Sequence, residues 1–120
     1  MKPRLYLKFL LFWMGFIWIM SSIPAKEMPQ INIFGSDKIA HFGIYFVWGT
    51  LGKLYARSRD SRKAEAFLVL ALMIALAALD EYHQYFIPGR SVSVYDLLAN
   101  WSGILAAWII TSRVSGRRSS

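Results

Sequence analysis

Apolar residues run through the chain in four blocks. Residues 5–23 are apolar except for Lys8, and residues 39–55, 66–79 and 97–111 form the other three. Two of the blocks fall short of the roughly 20 residues needed to cross about 30 Å of hydrocarbon. The third gains that length if its helix runs on through Asp80 and Glu81 to Phe86, which places two carboxylates within the outer half of a membrane. The pattern therefore predicts one all-α domain, a four-transmembrane-helix bundle with helices at about 5–23, 37–55, 64–86 and 94–112.

The intervals between blocks set the helix ends. Residues 21–36 carry Pro24, Pro29, Asn32 and Gly35, enough chain to lie along a membrane interface. The connection at 56–63 is short and charged, so the second and third helices are expected to form an antiparallel hairpin. Ser36 before Asp37 reads as an N-cap, and Ser93 with Asp96 three residues on reads as a capping box. Residues 115–120 are expected to fray. Lys2 and Arg4 ahead of an apolar run have the outline of a secretory signal peptide. The run is longer than a typical signal core and lacks small residues at the cleavage spacing, so it is expected to stay as the first membrane helix.

Composition decides the solvent. A chain of 120 residues that is 56% hydrophobic and has five tryptophans cannot hide that surface in one small core, which points to lipid. The net charge of +7 is distributed by position. Lys2, Arg4 and Lys8 precede or open the first helix. Lys53, Arg57, Arg59, Arg62 and Lys63 flank the second connection, and Arg113, Arg117 and Arg118 close the last helix. Only Lys26, Lys38 and Arg90 fall on the other side. The positive-inside rule then places both termini in the cytoplasm of a multi-pass protein, expected in a bacterial inner membrane. The basic excess is a topology signal with an attraction to anionic headgroups, not a nucleic-acid footprint. The absence of cysteine excludes thiol chemistry and disulfides.

Polar residues recur at helical spacing on three of the blocks. Asp37, His41, Tyr45 and Trp48 share one face of the second helix. Glu81 and Gln84 share a face of the third, with Asp80 rotated by about 100° and free to meet another neighbour. Asp96, Asn100, Gly103 and Ala107 form a stripe on the fourth that turns from polar to small. Lipid does not solvate such groups, so these faces are expected to meet inside the bundle near its outer end, where two helix N-termini also converge.

These residues resemble the VanZ-like membrane proteins. The family's pattern is met by Asp37-Lys38-x-x-His41-Phe42 with Tyr45, then Asp80-Glu81-x-x-Gln84, Pro88-Gly89-Arg90, and Asp96-x-x-x-Asn100-x-x-Gly103. The match spans residues 37–103, and the first helix and the tails carry none of it. The resemblance implies a cell-envelope membrane protein with a link to resistance against the glycopeptide teicoplanin. It carries no settled catalytic residue.

From the residues themselves, the expected site is a polar cleft open to the outer face that binds or modifies an envelope or lipid-linked anionic molecule. Lys38 and Arg90 supply anion donors. Glu81, partly desolvated, and His41 are the acid-base candidates, and Asp37, Gln84, Asp96 and Asn100 complete the ligand-binding set. Tyr45, Tyr82, Tyr85, Phe86 and Tyr95 are expected to border an acyl chain or form an interface belt. Asp37, His41, Glu81 and Asp96 also make a weak metal alternative, while His83, two residues from Glu81, points away from it. The same groups have an architectural account, as caps and interhelical glue. No Gly-x-Ser-x-Gly elbow, phosphate loop or dinucleotide fingerprint occurs, so no cofactor is expected. An enzyme and a non-catalytic accessory protein need the same cleft. A transporter needs ionisable groups near mid-membrane, where this chain is apolar, unless it works as a homo-oligomer.

Overall fold

The computed structural model describes residues 3–22, 36–59, 63–87 and 94–119, at 36–38 and 114–119 by backbone alone. Four α-helices account for them: α1 (Pro3–Ser21), α2 (Ser36–Ser58), α3 (Lys63–Gln84) and α4 (Val94–Ser119). Among the described residues there is no strand. At about 1.5 Å per residue the 19 residues of α1 span about 28 Å and the 26 of α4 about 39 Å. Two segments, Pro3–Ser21 and Val94–Arg113, are long and apolar enough to cross a membrane by length and composition.

The helices differ from expectation mainly at their ends. α3 does run through Asp80 and Glu81 but stops at Gln84. Its last turn tightens there: the N–H groups of Tyr85, Phe86 and Ile87 donate to the carbonyls of Tyr82, His83 and Gln84 at 3.0–3.1 Å, three residues back. α4 continues to Ser119, through residues expected to fray.

Interhelical contacts fix the topology. Tyr45 meets Asp80 and Gly52 meets Met73, so α2 and α3 run antiparallel. Trp13 meets Ile44 and Leu10 meets Trp48, so α1 is antiparallel to α2. His41 meets Asn100 and Lys53 meets Trp108, so α2 and α4 are parallel. The result is an up-down-up-down bundle in which α2 touches all three other helices. One end collects the start of α1, the end of α2, the start of α3 and the end of α4. The opposite end carries the polar residues.

Small residues and indoles hold it together. Gly103 of α4 lies against the Phe42 carbonyl and 3.0 Å from Phe46 N, measured to where a Cβ would stand, and Gly49 of α2 lies 2.9 Å from Ile104 Cα in the same sense. Such close backbone approach lets the two helices pack main chain against main chain along the seam. Three tryptophans stitch the pairs. Trp13 Nε1 donates to Ile44 O at 2.9 Å, Trp48 Nε1 to Leu10 O at 3.3 Å, and Trp101 Nε1 to Ile74 O at 3.0 Å. An indole N–H in apolar surroundings needs an acceptor, and a neighbouring helix carbonyl has a lone pair to spare. Thr50 and Ser112 hide their hydroxyls on carbonyls one turn back.

Candidate functional site

The polar end is built from one face of each of three helices. On α2, His41 and Tyr45 stand one turn apart; on α4, Asp96 and Asn100 stand one turn apart. Because α2 and α4 are parallel and nearly in contact, the two pairs meet. His41 Nδ1 lies 2.9 Å from Asn100 Oδ1, and His41 Nε2 lies 4.0 Å from Asp96 Oδ2. With the Asn100 oxygen accepting, Nδ1 carries a hydrogen. Nε2 then faces the Asp96 carboxylate at 4.0 Å, within ion-pair range but beyond a hydrogen bond. If the Asn100 amide is turned over, its NH₂ donates to Nδ1 and the hydrogen moves to Nε2. In either arrangement both ring nitrogens are committed to α4.

α3 supplies the acids. Asp80, Glu81 and Gln84 are each at most 3% exposed, and Asn100 beside them is fully buried. Tyr45 OH donates to Asp80 Oδ2 at 2.6 Å, a short bond, and Glu81 lies within electrostatic reach of the same hydroxyl. Asp80 Oδ1 and Asn100 Nδ2 have no hydrogen-bond partner among the described residues. A buried acceptor and a buried donor therefore keep unused capacity in one cluster, which is costly unless something else completes them. The cluster reaches the surface where His41 and Asp96 are partly exposed, their side chains at 20% and 13%.

Of the residues singled out from sequence, His41, Asp96 and Asn100 contact one another, while Glu81 and Gln84 are buried on α3. Asp37, Lys38 and Arg90 lie outside the described side chains, as does the Ser93 half of the capping box; Asp96 does sit in the first turn of α4. Among the described residues no three His, Asp or Glu side chains gather as a metal set. Tyr45 does not border an acyl chain: it is 3% exposed and turned inward onto Asp80. Tyr82, Tyr85, Phe86 and Tyr95 face outward.

Two contacts were not anticipated. Asp80, read from the sequence as free to meet another neighbour but not placed among the site residues, meets Tyr45 of α2. His83, pointing away from Glu81, is taken up by α1: its Nε2 lies 2.9 Å from Ser22 Oγ and its ring packs 4.7 Å from that of Trp18. No sequence spacing pairs residues 61 positions apart, so that tie was not readable beforehand.

The fold and the cluster define an all-α, four-helix protein with acids, an imidazole and amides gathered inside it. The chain belongs to the VanZ/LLP1 family, whose model matches residues 6–115 and so takes in α1 as well as the three polar helices. No curated protein and no solved structure matches it.

Proposed function

We propose that the protein is a multi-pass protein of the bacterial inner membrane, all four helices crossing the bilayer with both termini cytoplasmic. Its polar cluster is then a site, opening on the outer face, that binds the head of an envelope or lipid-linked anionic molecule. The observation that carries the membrane reading is the inverted distribution of residues. Phe12 and Ile39 are each 72% exposed and Phe67 71%, while Asp80, Glu81 and Asn100 are shut inside. Water would favour the reverse, and lipid favours this arrangement. A reporter pair fused after Ser120 tests the orientation: fluorescence without alkaline phosphatase activity is the expected result, and phosphatase activity sinks it.

The ligand reading rests on the unfilled capacity of Asp80 Oδ1 and Asn100 Nδ2 and on the partly exposed His41 and Asp96, 4.0 Å apart. The described cluster holds three carboxylates and one imidazole, so it suits hydroxyl or amine groups of a ligand. Lys38 and Arg90 are assigned to its anionic part on their position in the sequence. Glu81 serves as acid or base, or simply as an acceptor in a protein that sequesters its ligand. The family resemblance makes teicoplanin challenge the cellular readout. Glu81→Gln and Arg90→Ala should leave membrane insertion intact and abolish tolerance; full tolerance in both variants removes the site. Mass spectrometry after incubation with lipid-linked envelope precursors separates turnover from binding.

A further inference from the structure

The basic end of the bundle carries a second feature, remote from the polar cluster. Where α1 begins and α2 ends, Pro3, Arg4, Leu7, Tyr55, Ser58 and Arg59 line an open hollow of about 390 Å³. Two arginines line it, one from each helix, and among the described residues no carboxylate does. Arg59 is held in place there. Its Nη1 donates to Tyr55 OH at 3.0 Å, and its guanidinium stands 5.9 Å from the centre of the Tyr55 ring. Glu65 of α3 also acts electrostatically on Arg59 from outside the hollow. Ser58 Oγ donates to Tyr55 O, which fixes the turn that presents both residues.

The walls change character with depth. Leu7 continues at i+4 to Leu11, which is 57% exposed, so an apolar track leads from the arginines along α1 toward mid-bundle. Two arginines lining one hollow beside an apolar track match one chemistry: a phosphate group attached to acyl chains. Arginine forks bind phosphate oxygens, and basic pockets between membrane helices on the cytoplasmic side hold anionic headgroups.

We propose that this hollow is a binding site for the phosphate headgroup of an anionic phospholipid of the inner leaflet, held by Arg4 and Arg59 with its acyl chain along Leu7 and Leu11. The assignment rests on the membrane reading above and is independent of the polar cluster. The site anchors the α1–α2 pair at the cytoplasmic face and makes its packing sensitive to lipid composition.

The full chain, purified in a neutral detergent, is titrated with dioleoyl phosphatidylglycerol, with dioleoyl phosphatidylcholine and with inorganic phosphate, and bound molecules are counted by native mass spectrometry. Phosphatidylglycerol should bind in preference to phosphatidylcholine. Arg4→Gln/Arg59→Gln should weaken it by about thirtyfold. The charge-matched pair Lys8→Gln/Arg113→Gln, outside the hollow, should stay within about threefold. Tyr55→Phe keeps both charges and frees Arg59, and should weaken binding several-fold while leaving the fold unchanged. Equal loss in both charge pairs, or no preference for phosphatidylglycerol, overturns the site. Competition by inorganic phosphate at lipid concentrations overturns the lipid assignment. Failure of the native chain to remain in membranes after alkaline extraction would instead sink the membrane reading on which it rests.

Discussion

Gly103→Ala is expected to destabilise the bundle by roughly 1–3 kcal/mol, the range for forcing an extra methyl into a packed interior. The new Cβ would run into the Phe42 carbonyl oxygen and stand 3.0 Å from Phe46 N. Both obstacles are backbone, so no rotamer change relieves the clash and α2 must move away from α4. That movement has company. Gly49 meets Ile104 Cα at 2.9 Å in the same seam, and the His41–Asn100 contact lies one turn from Gly103. A displaced α4 therefore loosens the polar cluster as well as the packing. Opposing the clash is helix propensity, which favours alanine over glycine by about 1 kcal/mol. Gly43 isolates that opposing effect, because nothing lies within 4 Å of a Cβ built there. Gly43→Ala should be neutral or stabilising by up to about 1 kcal/mol. Unfolding of the two variants in the same detergent makes the comparison; equal effects would mean that the α2–α4 seam is not packed this closely.

The stripe from Asp96 to Ala107 made that seam partly legible. A run that turns from polar to small at helical spacing on α4 signals close approach, and His41 and Asn100 both carry polar atoms at the depth where the approach occurs. The four helices were legible for a related reason: each apolar block is bounded by charges or breakers, and the ends differ from expectation by only a few residues except at the α4 tail. What the sequence left ambiguous is helix rotation. Glu81 and Asp80 are about 100° apart, and no pattern within α3 says which of them faces α2. Tyr45 had two readings for the same cause, and its place on the inward polar face of α2 holds while the acyl-chain border does not. On an isolated helix a tyrosine near a membrane boundary suits a lipid belt, and only the antiparallel register of α2 against α3 turns its hydroxyl onto Asp80. The Ser22–His83 tie and the three indole-to-carbonyl bonds are further out of reach, since a helix carbonyl as acceptor leaves no mark on residue type. The charge distribution, by contrast, was simple to read and gains a structural counterpart. The start of α1 and the end of α2 each bring an arginine to one hollow, so residues first read as a topology signal also build a surface.

The Tyr45–Asp80 bond decides between cluster as glue and cluster as site. Tyr45→Phe keeps the ring that packs edge-on against Trp48 at 5.7 Å and removes only the donor to Asp80. Asp80 is 1% exposed and its Oδ1 has no partner among the described residues, so the loss leaves a buried carboxyl group without the Tyr45 hydrogen bond and with no solvent to replace it. The expected cost is about 1–3 kcal/mol, the range for leaving a buried polar group unsatisfied. Asp80→Asn removes the charge and keeps the shape. Tyr45→Phe made in that background should cost less, with a coupling energy of about 1–3 kcal/mol between the two positions. Additivity to within about 0.5 kcal/mol would show that the bond contributes nothing of its own. The pair also separates the two accounts through function. Glue predicts that activity falls only as far as stability does, so a stabilising Gly43→Ala added to Tyr45→Phe restores both together. A site predicts that Asp80→Asn loses ligand binding or teicoplanin tolerance while the bundle unfolds at nearly the native denaturant concentration. The unused Oδ1 of Asp80 is the acceptor that the second outcome would engage.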